Sequence, residues 1–103
     1  MKIPKSLLIC GVKYSIIFDK KILGGAFWWH KHIIKIEKAM SFERRFNILI
    51  HEVCEIIMVS NIMRYQKCLE GDTHNGDYIF SFDHDRFEIF TEELGGVLKQ
   101  IIC

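Results

Sequence analysis

The apolar and polar positions of this chain fall into two regimes, an extended first part and a helical second part. Residues 12–18, VKYSIIF, are β-branched and aromatic and predict a strand. Asp19 to Lys21 supplies a turn. Gly24-Gly25 opens a second extended run, AFWWH, and Lys31 separates it from HIIKIE at residues 32–37. AFWWHKHIIKIE reads as a tight hairpin turning near His30 to His32. Together these segments predict a three-stranded antiparallel meander, about the smallest sheet that is stable with one buried face. The period then changes. Ser41 is a suitable N-cap, and Glu43 places a carboxylate in the first turn, where the helix dipole favours it. The helix is expected from about Phe42 to about Ser60. Phe46, Leu49, Val53, Ile56 and Ile57 recur every three or four positions, and Ile48, Ile50, Met58 and Val59 widen the apolar surface almost all round. Such a helix is central and buried.

Turn formers crowd residues 61–80, among them Gly71, Asp72, Asn75, Gly76 and Asp77. Short extended pieces near Met63 to Gln66 and near Tyr78 to Phe82 suit a hairpin. A second helix is expected from Asp83. Phe82 and Phe87 match a hydrophobic staple at its start. Phe87, Phe90, Leu94, Val97 or Leu98, and Ile101 mark its apolar face. Gly95-Gly96 weakens this helix by about 1 kcal/mol per glycine relative to alanine. The pair implies either close approach of another element or a break. The expected fold class is α+β: a small antiparallel three-stranded sheet packed on a central helix, followed by a second helix, in a single domain over residues 1–103.

Composition narrows the classes of function. With 103 residues the chain can bury one core, and 50% apolar with 13% aromatic residues argues against global disorder. The balance of 14 basic and 13 acidic residues argues against a binding mode led by phosphate contacts, so no nucleic acid partner is expected. The basic residues from Lys31 to Lys38 are interrupted by apolar ones and read as the polar side of a strand. The four cysteines, Cys10, Cys54, Cys68 and Cys103, form no CxxC pair and read as reduced thiols of an intracellular protein. The apolar run Leu7 to Val12 is short for a signal sequence. The longest apolar stretch, Phe46 to Met63, holds His51, Glu52 and Glu55, which a membrane span does not tolerate. A cytoplasmic protein without a membrane partner is the expectation.

Those three residues carry the chemistry. His51 and Glu55 stand four apart on the helix, so their side chains stack on one face, roughly 5–6 Å apart at Cβ. That spacing suits two ligands of a divalent cation, and zinc accepts both imidazole nitrogen and carboxylate oxygen. Glu52, one residue round from His51, flanks such an ion in the position of a general base. Buried carboxylates are costly unless paired or metal-bound, and no Lys or Arg lies between Arg45 and Arg64. A catalytic zinc needs one more protein ligand. His84, at the start of the second helix beside Asp85, is the best candidate, and Glu88 is a rival ligand or an orienting partner. His30, His32 and His74 read as exposed turn or loop residues. Trp28 and Trp29 point to opposite faces if both lie in a strand. Core packing is the default for each, with one of them able to line a groove beside the metal.

The order of features, HIIKIEKAMSFERRFNILIHEVCEII followed by FDHDRFEIFTEEL, resembles the zincin metallopeptidases. The likeness is greatest to the minimal single-domain zincins of bacteriophage and prophage genomes, and it covers about residues 12–100. The resemblance implies a zinc-dependent metallopeptidase with His51 as first ligand, Glu52 as general base and His84 as third ligand. It also implies that the strand at residues 32–37 is the edge that holds an extended peptide substrate by main-chain pairing. Glu55 stands where those proteins carry histidine. It adds a negative charge, which lowers the ability of a metal to acidify water and makes manganese or iron more compatible. The alternative function is a catalytically weak or inactive protein of this type that binds metal and a protein partner.

Overall fold

The computed structural model describes residues 2–38, 41–66 and 78–102. The turn-rich segment at 67–77, with Cys68 and His74, and Cys103 lie outside the described residues. The fold is α+β. Four strands, β1 (Ser6–Ile9), β2 (Val12–Asp19), β3 (Gly25–Trp28) and β4 (Ile33–Glu37), precede helix α1 (Phe42–Ser60). A two-stranded antiparallel pair, β5 (Arg64–Gln66) and β6 (Tyr78–Phe80), follows, and then helix α2 (His84–Ile102).

The main sheet is four-stranded and mixed, in the order β1-β2-β4-β3, which corrects the expected three-stranded antiparallel meander. Two things account for the difference. The short apolar run at the N-terminus is a strand. It pairs with β2 through a two-residue turn at Cys10-Gly11, whose φ values of 51° and 79° are those of a type I′ hairpin turn. The expected hairpin of β3 and β4 does form. It folds back, however, so that β4 lies parallel to β2, Ile16 opposite Ile34, and β3 is left at the edge. Ile34 and Ile36 are fully buried, so the interior place suits β4, whereas β3 opens with Gly25 and Ala26.

Alternation along the strands gives the sheet one buried face. Leu7, Ile9, Tyr14, Ile16, Ile34 and Ile36 point inward and meet Leu49, Val53, Ile56 and Ile57 of α1, with Val97 and Ile101 of α2. The boundaries of α1 are those the sequence predicts: the Ser41 hydroxyl accepts the Arg44 N–H at 3.2 Å. Its C-terminal end is a Schellman turn. Met63 N–H donates to the Met58 carbonyl at 2.7 Å and Ile62 N–H to that of Val59, with Ile62 at φ 55°.

The Asp83 carboxylate caps α2 by accepting from Arg86 N–H at 2.8 Å. The staple expected between Phe82 and Phe87 is replaced by an edge-on contact of Phe82 with Phe90, and Phe87 is exposed. The helix runs unbroken through Gly95-Gly96. A Cβ at either position would meet nothing within 4 Å, so the glycines serve no close approach. At its far end the Gln100 side chain lies along β1, accepting from Leu8 N–H and donating to Leu8 carbonyl at 2.8 and 2.7 Å. This amide stands in for a neighbouring strand and blunts the β1 edge. No helix among the described residues is long and apolar enough to cross a membrane.

Candidate metal centre

The flank of α1 beside β3 carries His51, Glu52 and Glu55. Their ligating atoms all lie within 4.8 Å of one another. His51 Nε2 is 2.8 Å from Glu55 Oε2 and 3.9 Å from Glu52 Oε2. Two tetrahedral zinc ligands stand about 3.3 Å apart for bonds of roughly 2.0–2.1 Å. The imidazole–carboxylate pair therefore needs only a small opening to hold an ion. The His51 side chain is 69% exposed and has room for that movement. The His51 imidazole and the Glu55 carboxylate are donors that zinc accepts, and after it manganese or iron, while Glu52 stands beside them.

Glu52 is buried, with 5% of its surface exposed. It occupies a core position between Leu49 and Ile56 but opens toward a cleft. Burial, reinforced by the nearby Glu55 charge, pushes its carboxyl up to about 7. That is a suitable range for a group that takes and returns a proton near neutrality.

Edge strand β3 forms the opposite wall of the cleft. A Cβ on Gly25 would sit 2.6 Å from Ile48 Cγ2 and 3.1 Å from Glu52 Cγ, so only glycine lets the strand come this close to α1. The space between them is about 1080 Å³, lined in part by Phe27, Trp29, Asn47, Ile48, Arg64 and Phe80. At its mouth Glu37 accepts from the Arg44 guanidinium and from Gly24 N–H, and these bonds hold its carboxyl below the usual range. They tie the end of β4 and the start of β3 to the first turn of α1.

Of the three expected ligands, the structure brings His51 and Glu55 together. His84 belongs to a second, exposed group with Asp85 and Glu88, whose atoms also lie within 4.8 Å of one another. Helix α2 docks through its C-terminal half. Its buried residues are Val97 and Ile101, and Gln100 fastens it to β1, at the sheet edge opposite β3. The substrate-pairing role expected of residues 32–37 is also corrected. That strand is β4, hydrogen-bonded on both sides, and the edge beside His51 is β3.

Neither tryptophan is buried in the core. Trp28 lies on the other face of the sheet under Lys35 Nζ, 5.0 Å from its ring centroid, while Trp29 lines the cleft. His30 and His32 are exposed in the β3–β4 turn, as expected. Cys10 and Cys54 are free, and burial pushes both thiols up.

Arg64 is the residue beside this cluster that sequence reasoning missed, since it figured only as the end of a cation-free interval. The Schellman turn brings it back alongside α1, where Nη1 lies 3.1 Å from Glu55 Oε1. The interval between Arg45 and Arg64 is therefore neutralised in part without a metal. No family model, curated protein or solved structure matches the chain. Fold and site define a small α+β domain with a candidate metal centre on its core helix.

Proposed function

We propose that the protein is a metal-dependent hydrolase of the zincin type acting on peptide bonds. The observation that carries this reading is the convergence of His51, Glu52 and Glu55 at the floor of a cleft whose far wall is β3, the edge strand of the sheet among the described residues. His51 and Glu55 Oε2 are two of the ligands to hold the ion, and a catalytic zinc takes one more from the protein. When bound, a zinc ion supplies Lewis acidity to a carbonyl oxygen and to water. Glu52 accepts the proton of the attacking water and returns it to the leaving amine. Its buried carboxyl is suited to both steps. The β3 edge supports an extended peptide by main-chain pairing, and Gly25 sets the distance from that peptide to His51.

The decisive experiment measures metal content and turnover together. Protein prepared without chelator is expected to carry about one zinc per chain, and His51→Ala to carry none. Glu52→Gln is expected to keep the ion and to lose about 10²–10⁴-fold in peptide hydrolysis. Wild-type protein without stoichiometric metal, and equal in stability to His51→Ala, sinks the proposal.

A second reading is favoured by one observation: Arg64 already pairs with Glu55. In that reading the cleft binds an extended segment of a partner and cleaves nothing. Glu52→Gln then leaves partner binding and biological activity intact.

A further inference from the structure

We infer that Arg64 is a positioning residue of this centre, neutralising Glu55 and confining it to one ligating oxygen so that the site favours zinc over harder ions. The inference rests on the metal-centre reading above. Glu55 is shared between two partners. Its Oε1 faces Arg64 Nη1 at 3.1 Å, and its Oε2 faces His51 Nε2 at 2.8 Å. The Arg64 and Glu55 side chains are only 18% and 19% exposed, so water screens this pair less than a surface pair.

Arg64 is held from three directions. Its backbone is the first residue of β5, opposite Phe80 of β6. The Schellman turn immediately before it sets the direction of the chain. Its guanidinium carbon stands 5.4 Å from the centroid of the Phe27 ring on β3. The cation therefore joins three elements around Glu55.

Two consequences follow for a bound ion. The first is charge. A carboxylate brings one more negative charge than an imidazole, and the guanidinium offsets part of it. Glu55 with Arg64 thus presents an oxygen donor of reduced charge, nearer to the neutral nitrogen of a histidine. The second is the number of oxygens. With Oε1 committed to Arg64, Glu55 offers Oε2 alone. Zinc accepts a carboxylate through a single oxygen at about 2.0–2.2 Å. Manganese and calcium draw more of their affinity from anionic oxygen, and calcium also takes carboxylates through both atoms. Loss of Arg64 restores the charge and the second oxygen, and harder ions gain the most.

The test titrates chelator-stripped wild type, Arg64→Gln and Arg64→Lys with Zn²⁺ and with Mn²⁺ by competition calorimetry. Wild type is expected to bind one Zn²⁺ and to prefer it to Mn²⁺. Arg64→Gln is expected to narrow that affinity ratio by about tenfold, the size of effect that partners of metal ligands produce. Arg64→Lys keeps the charge without the fork and is expected to fall between. It carries the test alone if Arg64→Gln does not fold. In a Glu55→His background, Arg64→Gln is expected to leave the ratio unchanged, which separates action through Glu55 from a general structural effect. Zinc binding to wild type with the same ratio in folded Arg64 variants overturns the role of Arg64 only. A shifted ratio in the Glu55→His background also overturns it. Absence of zinc binding to wild type overturns the metal centre as well.

Discussion

Glu52 stands on the buried stripe of α1, in line with Leu49, Val53 and Ile56, where the helical period calls for an apolar side chain. A carboxylate there costs stability whenever it is ionised, and its raised pKa measures that cost. The folded chain holds this proton more tightly than the unfolded chain, whose glutamate titrates in the ordinary range near 4.3. Stability from this group is therefore full below that range and is lost as pH rises through about 7. The loss amounts to roughly 4 kcal/mol at most. Chelator-treated wild type is expected to be less stable at pH 8 than at pH 5. Glu52→Gln, a neutral isostere, is expected to be the more stable protein at pH 8 and to flatten the slope. Denaturant titrations at the two pH values check this, and a wild type equally stable at both contradicts it. The motif HEVCE was readable from spacing alone, because a helix fixes which residues share a face. The depth of Glu52 was not, because it depends on Gly25, which lies far away in sequence.

At the scale of elements, α1 was legible to its ends. Ser41 competes for the orphan N–H groups of the first turn, and the apolar period persists as far as Ser60. Its C-terminal turn was not legible, because a glycine is the usual signal and Ile62 stands there instead. Ile62 has φ 55° and is 66% exposed, so it bears the strain of a left-handed β-branched residue with little burial in return. Ile62→Gly is expected to raise stability by about 1 kcal/mol. A higher denaturation midpoint at unchanged slope is the supporting result. A lower midpoint means that the side chain contributes packing that outweighs the strain. The turn has a further consequence, since the next residues run back along the helix and bring Arg64 to Glu55. A local backbone motif thus decides the electrostatics of the centre.

At the scale of the whole molecule, the two sheet edges differ in kind. The Gln100 amide occupies the β1 edge, while β3 faces the cleft. The width of that cleft depends on the approach of β3 to α1, and so on the missing side chain at Gly25. Gly25→Ala places a methyl group 2.6 Å from the branched Cγ2 of Ile48, with Lys35 carbonyl 3.3 Å away on the neighbouring strand. Neither neighbour yields easily. The variant is expected to lose about 1–3 kcal/mol of stability, in the range of overpacked cores, and to weaken zinc binding at His51. Thermal unfolding and metal titration check it, and a variant with wild-type values of both removes the close-approach argument. By itself the sequence determined what local geometry can settle: the helices, the β3–β4 and β5–β6 hairpins, and the pairing of His51 with Glu55 on one helical face. Each of these follows from a period or a turn a few residues long. Only the tertiary structure decided the order of strands, the placing of β4 beside β2, the edge role of β3 and the arrival of Arg64 at Glu55. These depend on which apolar faces cover one another, and burial is a property of the assembled layers that no short span of the chain contains.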